Sequence, residues 1–166
     1  MDGLKYIGTI NYLWRRFFMH KKILLPTDGS ENAERAGEYA ISLADISGAD
    51  IIVLNVIDSY YLDAIPQPDV KKTLEKELRA DGKRAVENFK KKLEESQCNG
   101  ICKNVQFKTI IKEGKPDQII LKTIDEEGVD QLVMGKSGKH GLERFLLGRT
   151  TDRVVSDSKV PVNVIS

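Results

Sequence analysis

The sequence predicts a single doubly wound α/β domain, a five-stranded parallel sheet with helices on both faces. Three observations carry this. From Lys22 onward, short apolar runs alternate with amphipathic stretches of helical period, the pattern of repeated βαβ units. The first run, Ile23-Leu24-Leu25, is apolar at every position, as a strand covered on both faces should be. Two of the runs lead straight into polar or glycine-rich loops, Pro26-Thr27-Asp28-Gly29-Ser30 and Gly135-Lys136-Ser137-Gly138. Parallel sheets place their ligand loops at such strand ends.

Each element follows in order. After the strand at Ile23 to Leu25, Ser30 is a good N-cap for a helix whose inner face is Ala33, Ala36, Ala40, Leu43 and Ala44, with Gly48 as its stop. That face is small enough for close contact with a sheet. Ile51 to Val56 is the second strand. A loop holding Tyr60, Tyr61, Pro66 and Pro68 leads to a long charged helix with Leu74, Leu78, Ala85, Phe89 and Leu93 on one side. Its Lys and Glu residues form a solvated, i,i+4-paired face. Val105, Phe107, Thr109 and Ile111 alternate as a third strand. Pro116 opens a helix that Gly128 closes, Gln131 to Met134 is the fourth strand, and Thr150 to Asp157 is a short last helix. Val160, Val162 and Val164 alternate as a final strand, and Pro161, which lacks a donor, puts that strand at an edge. If the first and fourth strands are neighbours, their two loops line one crevice.

A length of 166 residues and 40% hydrophobic content suit one domain with a proper core. The balance of 26 basic against 25 acidic residues argues against a general nucleic-acid binder. Cys98 and Cys102 cannot complete a structural zinc site and are read as free thiols. Residues 1–20 mix aromatic and basic side chains outside the α/β pattern and form an extension to a domain spanning 21–166. No run reaches the roughly 18–20 apolar residues needed to cross a bilayer, and a cytoplasmic protein is expected.

The glycine stretch carries the chemistry. Met134-Gly135-Lys136-Ser137-Gly138-Lys139-His140-Gly141 follows an apolar strand, and Gly148 precedes a helix opened by Arg149, Thr150 and Thr151. Glycines let a backbone approach phosphate oxygens, and a helix N-terminus adds unpaired N–H groups and partial positive charge. Two better-known phosphate loops are excluded. A P-loop would need glycine at position 130, which is Asp, or at 133, which is Val. The dinucleotide fingerprint G-x-G-x-x-G follows none of the apolar runs.

Lys22-Ile23-Leu24-Leu25-Pro26-Thr27-Asp28-Gly29-Ser30-Glu31, the run from Ile51 to Asp58, Gly114-Lys115-Pro116 and the run from Val129 to Gly135 together resemble the universal stress protein family. Nucleotide-binding members carry Gly, two residues, Gly, nine residues, then Gly followed by Ser or Thr, and Gly135, Gly138 and Gly148 fit that spacing. The resemblance implies an adenine nucleotide alpha hydrolase-like fold with strand order 3-2-1-4-5, and a homodimer through the last strand. It also implies bound ATP; read from the residues alone, Asp28, Asp130 and Asp152 would help hold Mg²⁺ or Mn²⁺ through phosphate oxygens and water, with no dedicated metal site visible. In that arrangement Pro26, Thr27 and Asp28 shape the adenosine pocket, and Val56 offers backbone groups to adenine. The segment from Gly135 through Gly141, with Lys136, Ser137, Gly138, Lys139 and His140, wraps ribose and phosphates, and Met134 before it belongs to the same site. Gly148, Arg149, Thr150 and Thr151 meet the phosphates. Arg149 departs from the family's Ser or Thr. A guanidinium there would clamp phosphate, fill the pocket or turn outward, while Thr150 and Thr151 would supply the missing hydroxyl.

Three functions fit. The leading one is an ATP-binding sensor or regulator in stress response, acting on an unknown protein partner. The second is a dimeric interaction protein of the same fold without nucleotide. The third, weaker one is a slow ATPase, since the only histidine in the glycine loop, His140, has no partner carboxylate at suggestive spacing.

Overall fold

The structure is a computed structural model that describes residues 22–138 and 147–166. The N-terminal extension and the loop positions Lys139, His140 and Gly141 lie outside the described residues. Strand β1 is Lys22–Pro26, followed by helix α1 (Glu31–Ser47), β2 (Asp50–Asp58), α2 (Ser59–Asp63) and α3 (Pro68–Cys98). Then come β3 (Phe107–Gly114), α4 (Pro116–Glu127), β4 (Gln131–Gly135), α5 (Arg149–Asp157) and β5 (Val162–Ile165). The five strands are parallel and ordered β3-β2-β1-β4-β5, as expected.

The central strands are apolar at successive positions because each face has its own helical layer. Ile23, Leu25, Ile51, Val53 and Val133 pack with Ala36, Ala40 and Ala44 of α1 and with Val86, Phe89 and Leu93 of α3. Leu24, Ile52, Leu54, Leu132 and Met134 face the other way, onto Ile120 and Ile124 of α4 and Val154 of α5. Ser30 caps α1 by accepting from the Ala33 N–H (3.3 Å), and Gly48, in the left-handed region, donates to the Ala44 carbonyl (2.7 Å).

Four expectations need correction. The segment with Tyr60 and Tyr61 is not a plain loop, because the Asp58 carboxylate accepts from the Tyr61 N–H (3.1 Å) and starts the short helix α2. Val105 is buried but precedes β3, where its N–H bonds the Cys102 carbonyl in a turn (3.0 Å). On β3 itself Ile111 is exposed and Ile110 meets the core, because only part of this edge strand is covered. Val160 and Pro161 also precede their strand, β5, which does lie at an edge. Cys98 is exposed and Cys102 buried, and both are free; burial pushes the Cys102 thiol pKa up, with the Asp45 charge adding to it.

Candidate functional site

β1 and β4 are neighbours, so their two loops meet at the carboxyl end of the sheet. Between them lies a crevice of about 400 Å³, within the range of small-ligand sites. Of the residues expected at the site, Pro26, Thr27, Asp28, Val56, Met134, Gly135, Ser137, Gly138, Gly148, Arg149, Thr150 and Thr151 line it. Lys136 does not line it. Its backbone is engaged behind the loop, donating to the Ile165 carbonyl (2.6 Å) and accepting from the Gly148 N–H (2.9 Å).

One end of the crevice is an open strand edge. β1 and β2 pair only as far as Pro26 and Leu54, whereas β2 and β3 continue to Asp58 and Gly114. The Leu54 carbonyl points toward β1, since it accepts from the Thr27 N–H (2.8 Å). Backbone groups repeat their direction every second residue. Val56 therefore aims its N–H and carbonyl the same way, past the point where β1 has turned off. A planar heterocycle could pair with that edge, with Met134 and Ile120 of the crevice wall as its apolar surroundings.

The other end has groups whose chemistry suits an anion. No side chain caps α5 at Gly148, and Arg149, Thr150 and Thr151 border the crevice. The orphan N–H groups of that first turn thus meet the ligand space, with the favourable end of the helix dipole behind them. Arg149 is exposed at this turn. Thr151 is buried and its hydroxyl donates to the Gly135 carbonyl (3.0 Å). Its proton is spent on the protein, so of the two threonines expected to supply a hydroxyl only Thr150 is without such a bond among the described residues.

The glycines of this loop also make close approaches to the protein itself. None of Gly135, Gly138 and Gly148 lies at positive φ. Their value is close approach. A Cβ on Gly135 would stand 2.8 Å from the Asn32 backbone carbon and 3.0 Å from the Ala33 nitrogen at the start of α1. A Cβ on Gly148 would stand 3.1 Å from the Ser137 Cα, and one on Gly138 would stand 2.4 Å from the Asp28 carboxylate. Asn32 completes the join: its Nδ2 donates to the Ser137 carbonyl (3.1 Å) and to the Ser137 hydroxyl (2.9 Å). Asp28 Oδ1 accepts from the Ser30 N–H (3.0 Å), an Asx-type turn leading into α1, while Oδ2 overlies Gly138.

Metal assistance by Asp130 is ruled out by position. Asp130 sits at the opposite end of the sheet, where its N–H donates to the Lys22 carbonyl (3.2 Å). β1 separates it from the crevice by four residue steps, about 13 Å. Among the described residues, no group of three or more His, Cys, Asp or Glu side chains could hold a metal.

Helix α3 supplies wall residues that sequence reasoning missed. Its first half projects beyond the core, so Leu78, Asp81 and Gly82 border the crevice. Asn55 and Gly82 did carry signals: a carboxamide inside an apolar strand, and a glycine inside a helix.

Comparison with known proteins agrees with the fold. The family model for the universal stress protein family matches residues 19–166. Universal stress protein MJ0531 of Methanocaldococcus jannaschii is 32% identical over 147 residues, which cover 89% of this chain and 82% of that protein. MJ0577 of the same organism is 33% identical over 164 residues, covering 89% and 95%. The solved structure of MJ0577 matches with a TM-score of 0.73 at 35% identity, over 89% of this chain and 96% of that one. A universal stress protein from Archaeoglobus fulgidus in complex with dAMP shares the fold, with a TM-score of 0.61 at 17% identity over 90% of this chain and all of its own. On the family model, the sequence identity and the fold together, this chain belongs to the universal stress protein family.

Proposed function

We propose that this protein binds ATP in the crevice and works in the cytoplasm as a homodimeric, nucleotide-dependent sensor or regulator in stress response. The observation that carries the reading is the pairing of two unlike ends in one crevice. The open Val56 backbone edge suits a base, and the uncapped N-terminus of α5 with Arg149 suits phosphates. Asp28, between them beside Gly138, suits a sugar hydroxyl. The dAMP held by the Archaeoglobus fulgidus relative supports an adenine nucleotide as the ligand class. The accompanying Mg²⁺ or Mn²⁺ would be held by phosphate oxygens and water. Dimerisation through β5 is supported by its place at a sheet edge and its half-buried Val162, Val164 and Ile165.

Native mass spectrometry of freshly purified protein tests both parts. A dimer carrying ATP, or taking it up when ATP is added, is the expected result. Protein that stays nucleotide-free in excess ATP defeats the proposal. A second reading, a dimer of the same fold without nucleotide, draws on Gly135, Gly148 and Thr151, whose close contacts and hydrogen bond already serve the protein itself.

A further inference from the structure

Asn55 is 6% exposed and stands on the α3 side of β2, in line with Ile51 and Val53. Its Nδ2 donates to the Thr27 carbonyl at 2.8 Å. A carbonyl can only accept, so this bond fixes the carboxamide orientation: the NH₂ group faces Thr27 and Oδ1 faces away from it. Oδ1 lies against α3, where a Cβ on Gly82 would come within 2.1 Å of it. Glycine at 82 is what leaves room for the oxygen. Among the described residues no hydrogen-bond donor reaches Oδ1. No fully enclosed side-chain oxygen is left unpaired there either, so Oδ1 keeps access to the crevice that Asn55 and Gly82 both line. An acceptor open to the crevice in this way takes its donor from water when the crevice is empty and from a ligand when one is bound.

We infer that Asn55 is a specificity-determining residue of the nucleotide site, with Oδ1 accepting a hydrogen bond from the exocyclic amine of the base. This deepens the ATP reading and rests on it. Asn55 adjoins Val56, whose open backbone edge marks the base end of the crevice. Adenine presents an N–H donor at its exocyclic position, whereas hypoxanthine, otherwise the same size, presents a carbonyl. Two acceptors would then face each other, and a site built for a donor rejects such a ligand far more strongly than one that merely encloses it.

Calorimetric titration of the full chain with ATP and with ITP tests the assignment. Wild type should bind ATP about tenfold or more tightly than ITP. Asn55→Leu, which keeps the side-chain shape but removes both polar atoms, should lower that ratio several-fold, the Val56 backbone edge retaining the remainder. Gly82→Ala favours the helix and forces the carboxamide aside, so it should lower the ratio in the same way and serves if the leucine variant does not fold. Equal binding of ATP and ITP by wild type overturns the inference. So does a parallel loss of both nucleotides in the variants with the ratio unchanged, which marks Asn55 as a purely structural tie to Thr27. Wild type that binds neither nucleotide overturns the ATP reading itself, and the inference with it.

Discussion

At the residue scale, hydrogen bonds show which polar groups at the crevice are committed to the protein. Thr151 donates inward to Gly135 and Asn32 donates to Ser137, whereas Arg149 stands exposed at the helix start. Arg149→Ser should therefore weaken ATP by about tenfold to a hundredfold, the worth of a charge-assisted hydrogen bond, and leave adenosine nearly unchanged. Calorimetry with both ligands decides it, and unchanged or improved ATP affinity would show that the guanidinium is a bystander. Asp28 has a double role, because one oxygen holds the turn into α1 and the other overlies Gly138. Asp28→Ala should lower Tm by a few degrees, since losing one turn bond costs about 1 kcal/mol, and should weaken adenosine about tenfold. Intact adenosine binding with the lowered Tm would show that Asp28 serves the protein and not the ligand.

At the element scale, the site depends on how closely β4 approaches the start of α1. The alanine-rich inner face of α1 lets the helix lie near the sheet, and Gly135 meets the backbone of Asn32 and Ala33 with no room for a side chain. Backbone atoms cannot yield as a flexible side chain does. Gly135→Ala should cost about 1–3 kcal/mol through overpacking and lower Tm by roughly 3–10 °C. Thermal unfolding followed by circular dichroism measures this, and an unchanged Tm would contradict the close approach. The charged helix α3 has its own division of labour. Ala85, Val86, Phe89 and Leu93 anchor its second half in the core, which leaves Leu78, Asp81 and Gly82 of the first half to roof the crevice.

At the scale of the whole molecule, the open question is what covers the outer edge of β5. The carbonyls of Pro161 and Ile165 face β4, accepting from the Leu132 and Lys136 N–H groups (3.0 and 2.6 Å). By the two-residue alternation, Val162 and Val164 turn their backbone groups outward, to an edge that would pair with a second copy. Proline is tolerated where a strand N–H faces away from its own sheet. Val164→Pro should accordingly leave the domain folded and shift the protein to monomer, as read by light scattering during size-exclusion chromatography. A variant that stays dimeric with wild-type stability would place the interface elsewhere. No described helix is long and apolar enough to cross a membrane.

The sequence by itself determined the class of fold, the two loops and about half of the crevice lining. Those features are written locally: apolar runs such as Ile23-Leu24-Leu25 mark strands covered on both faces, Ser30 and Gly48 bound a helix, and the spacing of Gly135, Gly138 and Gly148 marks the loop. Only the tertiary structure decided what each residue does there. Gly135 and Gly148 are required by neighbouring backbone rather than by positive φ, Thr151 is committed to Gly135, and Asp130 stands at the far end of the sheet. Asn55 and Gly82, 27 positions apart in the chain, form one feature only because α3 folds back over β2. The reason is physical. Propensity and periodicity act between neighbours in sequence, whereas close approach and hydrogen-bond satisfaction depend on which surfaces the packed layers bring together.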